Sequence, residues 1–279
     1  MSDLVPDKAG LEAILDYYVE AGVDLALDEE PHDRFVETAL PPPAPIVRRE
    51  EIAPREPADA PPPRALPQAA VAPEEAAVQA RELARHARSL EELETILAAF
   101  EGCSLKSSAK NLVFADGTPQ SRVMLVGEAP GADEDRIGKP FVGRSGQLLD
   151  RMLAAIGLDR AEVYIANVVP WRPPGNRTPT PQEVAICKPF IARQIELAKP
   201  DFLICLGGPA AQNLLNLKEG ILRTRGRWFS YRTDEGREIR ALATLHPAYL
   251  LRQPLQKRLA WRDFLALRRA LDGETGTGE

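Results

Sequence analysis

Cysteine and histidine are scarce in this 279-residue chain, with three of each. Three cysteines, an odd number without framework spacing, exclude a disulfide-stapled secreted scaffold and suit a reducing compartment. No apolar run reaches the roughly 18 residues that a membrane-spanning helix needs. The opening residues, Met1-Ser2-Asp3-Leu4-Val5-Pro6-Asp7, lack the basic stretch and apolar core of a secretory signal, so a cytoplasmic location is expected. Neither G-x-G-x-x-G nor G-x-x-x-x-G-K-[ST] occurs, which argues against a nucleotide-phosphate loop.

What is present is unevenly distributed. The net charge is −6. Residues 1–102 hold 9 Lys+Arg against 22 Asp+Glu, whereas residues 103–272 hold 26 against 17. A basic domain behind an acidic arm is compatible with phosphate contacts, and equally with ordinary surface charge. Within the arm, Leu11, Ile14, Leu15, Tyr18 and Val19 share one helical face over residues 8–22. Such a stripe can dock in cis, the simpler reading, or on a second copy or another protein. Residues 41–73 then carry 11 prolines among many alanines, the composition of an extended, solvated linker. The expected organisation is an acidic segment at 1–40, a linker at 41–73, a folded domain at 74–272 and a short tail at 273–279.

Within the folded domain, Ser89 and Glu92 have the spacing of a capping box ahead of the stripe Leu93, Ile96, Leu97 and Phe100. Apolar strand-like runs at 123–126, 163–169, 202–206 and 239–245 then alternate with helical patterns at 146–156, 181–198, 210–217 and 261–271. That alternation predicts an α/β fold, a three-layer α/β/α sandwich around a mostly parallel sheet. Two segments follow strand ends: Gly127-Glu128-Ala129-Pro130-Gly131 and His246-Pro247-Ala248-Tyr249-Leu250-Leu251. A small-residue turn lets backbone N–H groups approach a flat ligand, and a histidine can hydrogen-bond its far edge. Carboxyl ends of parallel strands are where open α/β sheets bind ligands.

At these residues the chain resembles the uracil-DNA glycosylases, in particular the family-4 branch. The similarity runs from about Cys103 to Leu271. It includes Gly-Lys-Pro-Phe-Val-Gly at 138–143, Tyr-Ile-Ala-Asn at 164–167 and Arg-Pro-Pro-Gly-Asn-Arg-Thr-Pro at 172–179. The resemblance implies an enzyme that flips uracil out of DNA and hydrolyses its N-glycosidic bond. A protein that binds uracil or damaged DNA without efficient cleavage is the alternative.

The resemblance also assigns roles. Phe141 would stack on the flipped base, with Gly127 and Ala129 in the turn beside it. Asn167 would read the O4/N3–H edge of uracil, since an amide offers both donor and acceptor. His246 would donate to uracil O2 as negative charge develops. Leu250 would fill the gap left by the extruded base. Glu128 or Glu134 would position the attacking water, or orient the loop by accepting backbone N–H bonds. Asp133, Glu134 and Asp135 read equally as a solvated acidic turn. Arg172, Arg177 and Arg252 are candidates for DNA phosphates, and the first two also for solvated loop charges.

Members of this branch usually hold a [4Fe-4S] cluster on four cysteines. Here Cys103 and Cys187 align with two of them, while Phe100 and Trp171 replace the other two. Two thiolates do not supply the usual Cys₄ set, so no cofactor or metal is expected. Cys205 falls inside the strand-like run at 202–206 and reads as a buried strand residue. The expected partner is uracil-containing DNA, with no membrane, a monomeric state, and an arm free to bind another protein.

Overall fold

A computed structural model describes residues 73–273. The acidic segment with its expected helix at 8–22, all but the last residue of the proline-rich linker, and residues 274–279 lie outside the described residues. Six strands form one sheet in the order β1-β3-β2-β4-β6-β5. The four central strands, β2 (Val123–Gly127), β3 (Val163–Asn167), β4 (Phe202–Leu206) and β6 (Glu238–Thr244), run parallel. The edges, β1 (Asp116–Gly117) and β5 (Trp228–Arg232), are antiparallel.

The period of two along each strand divides the apolar residues between two cores. Met124, Val126, Tyr164, Ala166, Leu203 and Cys205 face one layer. There they meet helices α1 (Pro73–His86), α2 (Leu90–Ala99) and α6 (Pro181–Ala198). Val123, Leu125, Val163, Ile165, Phe202 and Ile204 face the other layer, formed by α5 (Arg144–Ala154) and α10 (Lys257–Leu271). Burial on both faces is why these strands read as unbroken apolar runs, and it makes the molecule the three-layer α/β/α sandwich expected. The remaining helices are short: α3 (Leu105–Ser108), α4 (Ala132–Ile137), α7 (Gly208–Leu215), α8 (Ile221–Thr224) and α9 (Pro247–Arg252).

The sequence pattern missed β5. Trp228-Phe229-Ser230-Tyr231-Arg232 has the β-prone composition of a strand, and Gly236 closes the turn to β6 with φ +86. Helix α10 begins four residues before the expected start at Trp261, and the strand expected to 169 ends at Asn167.

Register is what prepares the site. Gly127 pairs with Asn167 across β2 and β3, and Leu206 pairs with Thr244 across β4 and β6. The chain segments leaving β2, β3, β4 and β6 therefore emerge side by side at the carboxyl edge of the sheet.

Candidate functional site

A cleft of about 550 Å³ opens at that edge. Glu128, Phe141, Asn167, His246 and Arg252 line it, so residues up to 124 positions apart in sequence meet at one place. Gly127 shows how closely they meet. A Cβ on it would fall 2.5 Å from Asn167 Oδ1 and 2.7 Å from Phe141 Cζ. Only glycine lets the strand end pass between that amide and that ring.

Phe141 is 4% exposed and has φ +53, a left-handed conformation that is rare and strained for an aromatic residue. Gly146, in the first turn of α5, makes room for it, because a Cβ there would overlap the Phe141 carbonyl oxygen at 1.8 Å. The Phe141 and His246 rings lie 5.4 Å apart at 29°. Carbon atoms in contact sit about 3.5–4.0 Å apart, so no flat ring fits between these two.

His246 is the N-cap of α9, and its Nδ1 accepts the Ala248 backbone N–H at 3.1 Å. Burial, together with the Arg252 charge, pushes its pKa down to about 4. The ring is therefore neutral near pH 7. With Nδ1 acting as acceptor, the proton resides on Nε2, leaving that N–H as the ring's remaining donor. Gly207, at φ +96, packs its backbone against this histidine, with a Cβ position 3.0 Å from His246 Cβ.

The two glutamates have different surroundings. Glu134 is 8% exposed and accepts backbone N–H bonds from Gly131 at 3.1 Å, Val142 at 3.0 Å and Gly143 at 2.9 Å. Both of its oxygens are thus committed to tying the Gly131 turn to the Phe141 loop. Glu128 Oε1 is buried without a hydrogen-bond partner, and burial raises the pKa of this carboxyl. Asn167 Oδ1 is likewise buried and unpartnered. Buried polar atoms are normally bonded. Both orphans belong to residues that line the cleft.

The acidic turn is solvated only at Asp133, which stays exposed and accepts from Arg136 at 3.0 Å. Asp135 is 2% exposed and accepts from Lys110 N at 2.8 Å and Asn111 N at 3.1 Å.

Leu250 requires the largest correction. It is 1% exposed and packs with Leu245 and Ala260, because its face of α9 turns into the third core cluster. It has no access to DNA in this arrangement. Its neighbour Leu251 is 37% exposed.

Among the arginines, Arg177 forks onto Glu183 with bonds of 2.8 and 2.6 Å, and Arg172 donates to Asn176 Oδ1 at 2.7 Å. Arg252 is exposed at the cleft, with no ion pair among the described residues. Ala129 also lines the cleft, half-buried.

Comparison with known proteins shows the family. The uracil DNA glycosylase superfamily model matches residues 114–265. The chain belongs to the uracil-DNA glycosylase superfamily. A type-4 uracil-DNA glycosylase of Archaeoglobus fulgidus is 39% identical over 180 residues, covering 63% of this chain and 90% of that protein. One from Thermotoga maritima is 42% identical over 154 residues (54% and 77%), and one from Pyrobaculum aerophilum is 40% identical over 169 (59% and 86%).

The donor set does not suit the cluster usual in that branch of the superfamily. Cys103 and Cys187 are buried with their Sγ atoms 3.9 Å apart. Phe100 and Trp171, 3% and 2% exposed, belong to the same core cluster. Phe100 packs edge-on against Phe190 at 5.1 Å. Among the described residues no group of three or more His, Cys, Asp or Glu is placed to hold a metal ion. Cys205 is buried in β4, where desolvation raises its pKa to about 12. Among the described residues no helix is long and apolar enough to cross a membrane.

The residue that sequence reasoning missed altogether is Arg160. It stands just ahead of β3 and outside every recognised motif, yet bonds the backbone of the Phe141 loop. Its position offered no periodicity or spacing from which that contact could be read.

Proposed function

We propose that this chain is a uracil-DNA glycosylase that hydrolyses the N-glycosidic bond of a flipped deoxyuridine and leaves an abasic site. The observation that carries the reading is the convergence in one cleft of a neutral histidine with a free Nε2–H, an unpartnered Asn167 oxygen and an unpartnered Glu128 oxygen. The relatives named above, uracil-DNA glycosylases by name, support the same substrate.

In this reading uracil lies against Phe141, and the Asn167 side chain bonds its O4/N3–H edge. The Asn167 oxygen accepts from N3–H, which gives that orphaned atom its partner. Cytosine has no proton on N3, so it would leave the oxygen buried and unpaired and would be rejected. As the bond between C1′ and N1 breaks, the electron pair passes to N1 and O2 of the base. His246 Nε2–H donates to O2, a neutral donor aimed at developing charge. Glu128 takes a proton from the water that attacks C1′, a role for the ionised carboxylate. Glu134 acts at a distance by fixing the loop.

Arg252 is the arginine best suited to a phosphate, since Arg172 and Arg177 already have partners within the protein. The apolar contact with the DNA passes from Leu250 to the exposed Leu251. The protein works without an iron–sulfur cluster, with Phe100 and Trp171 filling the volume that ligands would occupy. It acts as a monomer in the cytoplasm, and residues 74–272 form the catalytic domain.

The test is direct. Incubation with a uracil-containing oligonucleotide followed by alkali should yield strand cleavage at the uracil. Tight binding without cleavage would instead favour a damage-binding protein.

A further inference from the structure

Arg160 lies outside the cleft, on the short turn Arg160–Glu162 that leads into β3. The Asp159 side chain fixes that turn by accepting from Ala161 N at 2.7 Å and Glu162 N at 3.0 Å. From there the guanidinium reaches the Phe141 loop. Nη1 donates to the Phe141 carbonyl at 2.9 Å, and Nη2 donates to the Pro140 carbonyl. Two carboxylates aim the fork: Asp150 accepts from Nη1 at 2.9 Å and Asp116 accepts from Nε at 2.5 Å. Lys139 Nζ in turn lies 3.1 Å from the other Asp116 oxygen. The side chain is 24% exposed.

These bonds converge on a strained point. Phe141 has φ +53, and its carbonyl lies so close to Gly146 that only a residue without a Cβ fits there. A backbone in that conformation persists only where its surroundings over-determine it. We propose that Arg160 is a positioning residue for base recognition. By holding the consecutive carbonyls of Pro140 and Phe141, it keeps the Phe141 ring presented to the base. The planar fork is essential, because an ammonium offers no comparable pair of parallel donors. The inference rests on the reading of the cleft as a uracil pocket, with Phe141 as its stacking surface.

The test is a double-mutant cycle on the full chain with Arg160→Lys and Phe141→Ala. Two quantities are read: the single-turnover rate on a uracil-containing oligonucleotide and the inhibition constant of free uracil. Arg160→Lys keeps the positive charge for Asp116 and Asp150 but loses the fork. It should weaken uracil inhibition by about 10-fold, within the range expected for loss of one base stack. In the Phe141→Ala background the same substitution should change inhibition by less than about twofold, because the ring it positions is gone.

A merely structural arginine would lower the melting temperature yet act by the same factor in both backgrounds, and that additive outcome would overturn the proposal. Parent-like inhibition in Arg160→Lys would overturn it as well. Should that variant fail to fold, Arg160→Gln, which still donates an N–H to a carbonyl, is carried through the same cycle. An inactive parent chain would instead remove the uracil reading itself. An active parent with an additive cycle would remove only the role of Arg160.

Discussion

Replacing His246 separates its two jobs, because each is made by a different ring nitrogen. Nδ1 caps α9 by accepting the Ala248 N–H, while Nε2–H is the donor proposed for uracil O2. His246→Asn keeps a good capping oxygen but has no donor that reaches as far into the cleft; His246→Ala loses both. Each should lower the single-turnover rate by about 10²–10³, some 2.7–4 kcal/mol of transition-state stabilisation, with much less effect on affinity for uracil-DNA. Loss of the cap should cost His246→Ala about 1 kcal/mol of stability that His246→Asn largely retains.

The acid limb of stability offers an independent check. The folded pKa is about 4 against an ordinary 6.5, so below pH 6.5 the unfolded chain binds a proton that the folded chain does not. The parent therefore loses stability as pH falls from about 6.5 to 4, by about 3 kcal/mol in total from this group. His246→Asn should lack that share of the loss. Denaturant melts at pH 7 and pH 4.5, alongside quenched-flow cleavage at pH 7, measure all of this. A His246→Asn variant that cleaves within threefold of the parent would refute the donor role, and an unchanged acid slope would refute the buried neutral ring.

The other residues yield sharper contrasts. Glu128→Gln should abolish the rise in rate as pH climbs through a pKa above the usual carboxylate range, seen in a pH–rate profile from 4 to 8. It should also stabilise the fold at neutral pH, since ionising a buried carboxyl whose pKa is raised costs stability as pH rises. Glu134→Gln, which places an NH₂ among three backbone donors, should destabilise the Phe141 loop by about 1–3 kcal/mol, detectable as faster amide exchange at Val142 and Gly143. Leu250→Ala should cost about 2–5 kcal/mol in a denaturant melt, as for a buried core leucine, whereas Leu251→Ala should leave the melt almost unchanged and weaken DNA binding. Protein purified without oxygen should show no sulfur-to-iron absorbance near ~400 nm; four irons per chain would overturn the aromatic-plug account of Phe100 and Trp171.

Much of the architecture was legible in the chain itself, because burial on both faces leaves unbroken apolar runs and helices leave stripes. The four parallel strands and the helices that cover them follow from that patterning. So does the placing of Phe141, Asn167 and His246 at strand ends or turns, where motifs of small residues interrupt the apolar runs. The antiparallel edge strand β5 escaped, since its half-buried aromatics are mixed with polar residues and form no unbroken apolar run.

Tertiary structure alone decided which way each side chain points and what it finds there. Glu128 and Glu134 are six residues apart and chemically alike, yet Glu134 meets three backbone N–H groups and Glu128 keeps a buried oxygen without a partner. Leu250 and Leu251 are identical neighbours, and a helix of two turns sends one into the core and the other to solvent. Arg160 touches residues 19 and 20 positions earlier through a contact that no local pattern encodes. Periodicity records whether a position is buried; the partner it meets depends on segments distant in sequence, which only the folded chain brings together.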